Sequence, residues 1–175
     1  GTQTLDVVTQ HPDRFSVVAL SAGENLHLLI KQARIFKSAL VSIANPKHYK
    51  ELKESLSDQD TEVLAGPDAA EKVAVLTEAD TIVAAMVGFA GLKPTAAAVS
   101  AGKEVALANK ETLVVAGEMI MKHAAATGSR ILPVDSEHSA IMQCIEGENP
   151  DSIEKLIITA SGGPFRGMTA DDLRK

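Results

Sequence analysis

Tryptophan is absent from this chain of 175 residues, and only one tyrosine and four phenylalanines occur. A core without large rings must draw its volume from Ala, Val, Leu and Ile, a composition suited to helices packed on a buried sheet. Cysteine is nearly absent as well. Cys144 stands alone, which excludes an intrachain disulfide and fits a reducing compartment, so the cytoplasm is the expected location. A basic excess is also missing: the net charge is −6, and the cations are scattered among acids instead of clustered as nucleic-acid phosphates require. No run approaches the roughly 20 continuous apolar residues that span a bilayer, and no basic segment with an apolar core opens the chain. The expectation is a soluble globular protein with neither a nucleic-acid nor a membrane partner.

What is present is an alternation. Short β-branched runs occur at 15–21 (FSVVALS), 39–44 (ALVSIA), 62–66 (EVLAG), 80–88 (DTIVAAMVG), 104–108 (EVALA), 130–134 (RILPV) and 155–161 (KLIITAS). Helical patterns fill the intervals near 24–35, 46–56, 67–77, 90–101, 110–127 and 136–146, several opened by Asn, Pro, Asp or Ser and closed by Gly. Such alternation predicts an α/β fold, a Rossmann-like doubly wound sheet that is mostly parallel. The strands read as nearly continuous apolar runs, as a sheet covered on both faces requires. The length suits one full core, burying roughly 70% of the unfolded surface, followed by a fragment of a second. The first residues, GTQTLDVV, already read as helix, so a first strand is expected before residue 1, and the last run stops as a new helix begins.

Ligands of doubly wound sheets bind at the carboxyl ends of the strands, which directs attention to the residues just after each run. Asn109-Lys110-Glu111 follows EVALA and opens a helix. A lysine opposes the positive end of the helix dipole there, so an anionic ligand would offset it, although a solvated helix start with Glu111 in its first turn serves as well. Asp135-Ser136-Glu137-His138 follows RILPV, and its two carboxylates are hard oxygen ligands suited to Mg²⁺ or Mn²⁺. The alternative is a simple helix cap by Asp135 or Ser136. His138 has no partner visible in the sequence, and Cys144, within an apolar helix, reads as a small buried thiol. Met119, Met121 and Met142 read as core and helix filler.

Ser161-Gly162-Gly163 follows the last run and could hold phosphate oxygens through a hydroxyl and free N–H groups, or could simply connect two elements. Gly23-Glu24-Asn25 follows the first run at about the distance from Gly1 where a dinucleotide fold places its ribose-recognition residue. The phosphate-binding glycine loop would fall just before residue 1, with Gly1 as its last glycine.

Taken together, ALANKETLV (106–114), LPVDSEHSAI (132–141) and ITASGGPFRG (158–167) resemble the signatures of the 1-deoxy-D-xylulose 5-phosphate reductoisomerase family, in the family's order. GTQTLDVV is similar to the sequence after its glycine loop, and VGFAGLKPT (87–95) to its cofactor-proximal segment. The resemblance implies an NADPH-binding domain over 1–134, lacking its first strand and glycine loop, and over 135–175 the truncated start of an α+β catalytic domain. It implies NADPH-dependent rearrangement and reduction of 1-deoxy-D-xylulose 5-phosphate to 2-C-methyl-D-erythritol 4-phosphate, a step of non-mevalonate isoprenoid synthesis, with Mg²⁺ or Mn²⁺. By the same resemblance Asp135 and Glu137 are metal ligands, and with Lys110 they form the catalytic set. Lys110, Ser136, Glu137 and Ser161 contact the sugar phosphate. Gly1, Gly23, Glu24, Asn25, Asn109 and Glu111 line the cofactor site, and the full enzyme is a homodimer.

One departure concerns Glu24, where family members commonly carry a basic residue: a carboxylate near a cofactor 2′-phosphate is repulsive unless turned away. The full enzyme also has a Trp-bearing lid, another metal-binding Glu and more phosphate ligands beyond this chain's last residue, so the chain alone is expected to be inactive. The competing readings are another NAD(P)-dependent oxidoreductase, of the homoserine-dehydrogenase type, and a non-catalytic nucleotide-binding module.

Overall fold

The computed structural model describes residues 1–158 and 163–174. The chain forms two compact units, Gly1–Leu132 and Pro133–Lys175. In the first, helix α1 (Thr2–Gln10) precedes strand β1 (Ala19–Ala22), helix α2 (Leu26–Phe36) and strand β2 (Leu40–Ile43). A 3₁₀ turn (Pro46–His48) leads into α3 (Tyr49–Ser55), followed by β3 (Glu62–Ala65), α4 (Ala69–Ala74) and β4 (Thr81–Ala84). A second 3₁₀ turn (Gly88–Gly91) precedes α5 (Leu92–Ser100), β5 (Glu104–Leu107), α6 (Glu111–Thr127) and β6 (Ile131–Pro133), whose last residue is the first of the second unit. The second unit carries α7 (Ser136–Ile145) and short 3₁₀ turns at Pro150–Ser152 and Asp172–Arg174.

The strands pair as two three-stranded sheets, β1-β2-β3 and β4-β5-β6, where one sheet was expected. The registered pairs β1–β2, β2–β3 and β4–β5 are parallel, with Ala22 opposite Ile43, Ile43 opposite Ala65 and Ala84 opposite Leu107. Parallel neighbours need a crossover, and the helix lying between each of these pairs supplies it. Only β2, the middle strand of its sheet, is buried along its whole length; Val83 of β4 is exposed. The Ser42 hydroxyl inside β2 is satisfied by Ser21 of β1 at 2.8 Å, so a polar group survives full burial there.

Two apolar clusters hold the first unit together. Leu26, Leu29 and Ala33 of α2 meet Val41 and Ile43 of β2 and Leu52 and Leu56 around α3. Ala98 and Val99 of α5 meet Val105 and Leu107 of β5 and Ile120 and Ala124 of α6. Every buried apolar side chain among the described residues is Ala, Val, Leu or Ile, as the shortage of aromatics demands. Burying each Leu, Ile or Val contributes roughly 1.5–3 kcal/mol.

Two runs and three side chains depart most from the sequence reading. The run 80–88 ends as a strand at Ala84, because the carbonyl of Ala84 accepts from both Ala108 and Asn109 and the chain then turns through Gly88 at φ 65°. Residues 155–158 form no strand, and the remainder of that run, 159–161, lies outside the described residues. Cys144, Met119 and Met121 are exposed instead of buried.

Candidate active site

Residues 23–25, 109–111 and 135–137 sit just beyond the carboxyl ends of β1, β5 and β6. After β1, Gly23 has no atom within 4 Å of a Cβ built on it, leaving its backbone open to approach. Asn25 caps α2, its side chain accepting from Leu28 N–H at 3.1 Å, so the first turn of that helix is fixed. Glu24 between them is exposed, and its Oε2 accepts from Asn45 Nδ2 at 2.8 Å and lies 3.6 Å from His48 Nε2. The carboxylate is therefore turned onto the loop after β2. Sequence reasoning missed Asn45 and His48 as members of this group; the Asn-Pro pair at 45–46 signals a helix cap, not a contact 21 residues back.

After β5, Asn109 is buried while Lys110 and Glu111 are exposed. The Asn109 amide is fully engaged within the chain. Its Nδ2 donates to the carbonyls of Met86 and of Gly88, the latter at 2.9 Å. Its Oδ1 accepts from Thr112 N–H at 3.0 Å and Thr112 Oγ1 at 2.8 Å. One side chain thus ties the 86–91 segment to the head of α6, where its oxygen holds Thr112 from one residue before the N-cap. Gly91 is part of the same fit: a Cβ there would lie 2.8 Å from Asn109 Nδ2 and 3.3 Å from the Met86 carbonyl, so only glycine packs without a shift. Glu111 lies in the first turn of α6, where the helix dipole favours an acid, and Lys110 takes the N-cap position. The helix kinks at Ala116, beside Gly117.

In the second unit, Asp135 is the N-cap of α7, accepting from His138 N–H at 3.2 Å. The His138 ring nitrogen Nδ1 lies 2.7 and 2.8 Å from the two Asp135 oxygens, which supplies the partner the sequence did not reveal. Only 12% of the Asp135 side chain is exposed, so the histidine orients a carboxylate that has little room to turn. Glu137 lies in the first helical turn, and with Ser136 it borders an open groove of about 760 Å³ lined also by Ile141, Cys144 and Ile157. No three His, Cys, Asp or Glu side chains converge as a metal cage among the described residues. Ser161 lies outside the described residues, while Gly163, two positions on, takes φ 107°, a conformation that L side chains rarely adopt. Gly1 precedes α1 as its N-cap, and no side chain caps that helix start. No helix among the described residues is long and apolar enough to cross a membrane.

The sequence profile of 1-deoxy-D-xylulose 5-phosphate reductoisomerase matches residues 1–117, and that of the same enzyme's C-terminal domain matches residues 131–175. The 1-deoxy-D-xylulose 5-phosphate reductoisomerase of Bacteroides thetaiotaomicron is 52% identical over 174 residues, which is 99% of this chain and 45% of the relative. That of Geobacter metallireducens is 49% identical over 175 residues, 100% of this chain and 46% of the relative. The chain thus spans less than half the length of these relatives. Among solved structures, the Zymomonas mobilis enzyme in complex with NADPH superposes with a TM-score of 0.86 at 45% identity, covering 95% of this chain and 44% of that one. A reductoisomerase bound to NADPH, fosmidomycin and magnesium gives 0.79 at 41% identity, covering 82% and 36%.

Proposed function

Because the chain belongs to the 1-deoxy-D-xylulose 5-phosphate reductoisomerase family, we propose that it serves in the NADPH- and divalent-metal-dependent conversion of 1-deoxy-D-xylulose 5-phosphate to 2-C-methyl-D-erythritol 4-phosphate. The observation that carries this reading is the match to both domains of the family, over residues 1–117 and 131–175, with the acidic helix head at 135–137 inside the second.

The donor chemistry agrees with a hard divalent ion. Asp135 and Glu137 supply carboxylate oxygens, and a site of one or two carboxylates that leaves positions for water and substrate suits Mg²⁺ or Mn²⁺. A carboxylate offers about four lone-pair sites on its two oxygens, so a helix cap and a metal bond are chemically compatible in one Asp. When bound, the ion supplies Lewis-acid stabilisation of charge on the substrate's ketone and hydroxyl oxygens while the carbon skeleton rearranges. His138 holds Asp135 in orientation, Ser136 and Ser161 present hydroxyls to the sugar phosphate, and Lys110 provides a fixed cation for substrate oxygens.

For NADPH, the open backbone at Gly23, the uncapped start of α1 at Gly1 and the capped start of α2 at Asn25 form the polyphosphate and ribose side. Asn109 acts there through the 86–91 segment that it fixes, and Glu111 lines the same mouth. The domains are assigned as 1–134 for cofactor and 135–175 for metal and substrate. Manganese as an alternative to magnesium, a homodimeric assembly and a cytoplasmic setting complete the proposal, the last supported by the lone Cys144.

The test is substitution of Asp135 in the complete gene product. Asp135→Asn retains the helix cap but weakens the metal site, so Mn²⁺ affinity read by electron paramagnetic resonance should fall at least about tenfold with an unchanged thermal midpoint. Wild-type Mn²⁺ affinity and turnover in Asp135→Asn would contradict the assignment.

A further inference from the structure

We infer that Asn45 is a coenzyme-specificity residue: by tethering Glu24 to the loop after β2, it keeps a carboxylate away from the 2′ position of the coenzyme ribose. The inference rests on the NADPH reading proposed above.

The geometry gives the amide one workable orientation. Asn45 Oδ1 accepts from the backbone N–H of Lys47 at 3.0 Å, capping the 3₁₀ turn Pro46–His48. That bond commits the oxygen, so Nδ2 faces the other way, where Glu24 Oε2 lies at 2.8 Å. The backbone holds the two loops at a matching distance, because Ala44 N–H donates to Ala22 O at 2.9 Å and Asn45 N–H to Gly23 O at 3.3 Å. His48 is positioned by the same turn, its N–H donating to Asn45 O at 3.2 Å, and its ring lies 3.6 Å from the Glu24 oxygen that Asn45 binds. The Asn45 amide thus holds the carboxylate on the β2 loop, with the His48 ring beside it.

The functional consequence follows from where Glu24 sits. A carboxylate just after this strand accepts from a free ribose 2′-OH and favours NADH, whereas beside a 2′-phosphate it repels NADPH. Glu24 is 74% exposed at its side chain and has room to swing, so its direction is decided by its partners and not by packing. Held by Asn45 it is occupied; released, it is a competitor for the ribose hydroxyl.

The experiment measures the dissociation constants of NADPH and NADH by nicotinamide fluorescence on the complete gene product. Asn45→Ser keeps a good cap for the 3₁₀ turn but is too short to hold Glu24, and the ratio favouring NADPH should fall roughly three- to tenfold, the size of one exposed hydrogen bond. Adding Glu24→Gln to Asn45→Ser removes the charge and should return the ratio to wild type or above, a rescue that a merely structural Asn45 would not give. An unchanged ratio in Asn45→Ser, equal weakening of both coenzymes, or no rescue by the second substitution overturns the tether. A wild-type protein that binds neither coenzyme overturns the functional reading itself.

Discussion

At the scale of single residues, polar side chains in this protein are spent on fixing loops at strand ends. Asn109 makes four hydrogen bonds and leaves no amide atom over, so its neighbour Gly91 has no tolerance for a methyl group. Gly91→Ala is expected to destabilise the protein by about 1–3 kcal/mol, because either the amide loses its carbonyl partners or the backbone moves. Urea unfolding reads this directly, and a midpoint equal to wild type would show that the segment repacks without loss. Asp135 caps α7 and is proposed to bind the metal, and substitutions separate the two: Asp135→Ala removes cap and carboxylate and should cost about 1 kcal/mol, whereas Asp135→Asn should cost little. These pairings were not legible in the sequence. Glu24 and Asn45 are 21 positions apart, as are Asn109 and Gly88, and contacts of that span are set by strand register, which local patterns do not carry. The short-range pair Asp135–His138, three residues apart on one helix turn, was within reach of a spacing argument.

At the scale of elements, the strand order along the chain was legible and the strand lengths were not. The runs 39–44 and 104–108 became β2 and β5 almost unchanged, since both place residues in a buried cluster. The run 80–88 kept its apolar character past Ala84, but Gly88 and the demands of Asn109 turn the chain instead. Helix ends carry two further expectations. Lys37 closes α2 in the left-handed region at φ 49°, where a side chain is strained, so Lys37→Gly should stabilise by about 0.5–1 kcal/mol in urea unfolding. Arg34 of α2 donates to both oxygens of Asp58 at 2.8 and 3.0 Å and to Ser55 O, tying α2 to the end of α3. The Arg34 hydrogen bonds, with a backbone hydrogen bond and the guanidinium charge beside them, hold the Asp58 carboxyl below its ordinary range. A depressed carboxylate stabilises the fold above the unfolded-state value near about 4, and that contribution is lost as pH falls through the lower folded value. Asp58→Asn should therefore flatten the acid limb of a thermal-midpoint profile below about pH 4, and an acid limb identical to wild type would remove the pair from the account.

At the scale of the whole molecule, composition was the most informative feature of the sequence. A chain short of aromatics did build both clusters of its first unit from Ala, Val, Leu and Ile, and the alternation of runs did produce parallel pairs joined by helices. The exposure of Cys144, Met119 and Met121 was not legible, because helix periodicity over a short apolar stretch does not say which faces other elements cover. The candidate site divides in the same way. Its candidate residues stand in motifs that the family matches span, while the long-range groups beside them, Asn45 and the 86–91 carbonyls, are set by the fold. The most direct test of the central claim is NADPH oxidation by the complete gene product on addition of 1-deoxy-D-xylulose 5-phosphate with Mg²⁺ or Mn²⁺. The expected result is substrate-dependent loss of NADPH absorbance that stops when the metal is chelated and resumes when it is restored; coenzyme binding without any substrate-dependent oxidation would contradict the proposed function.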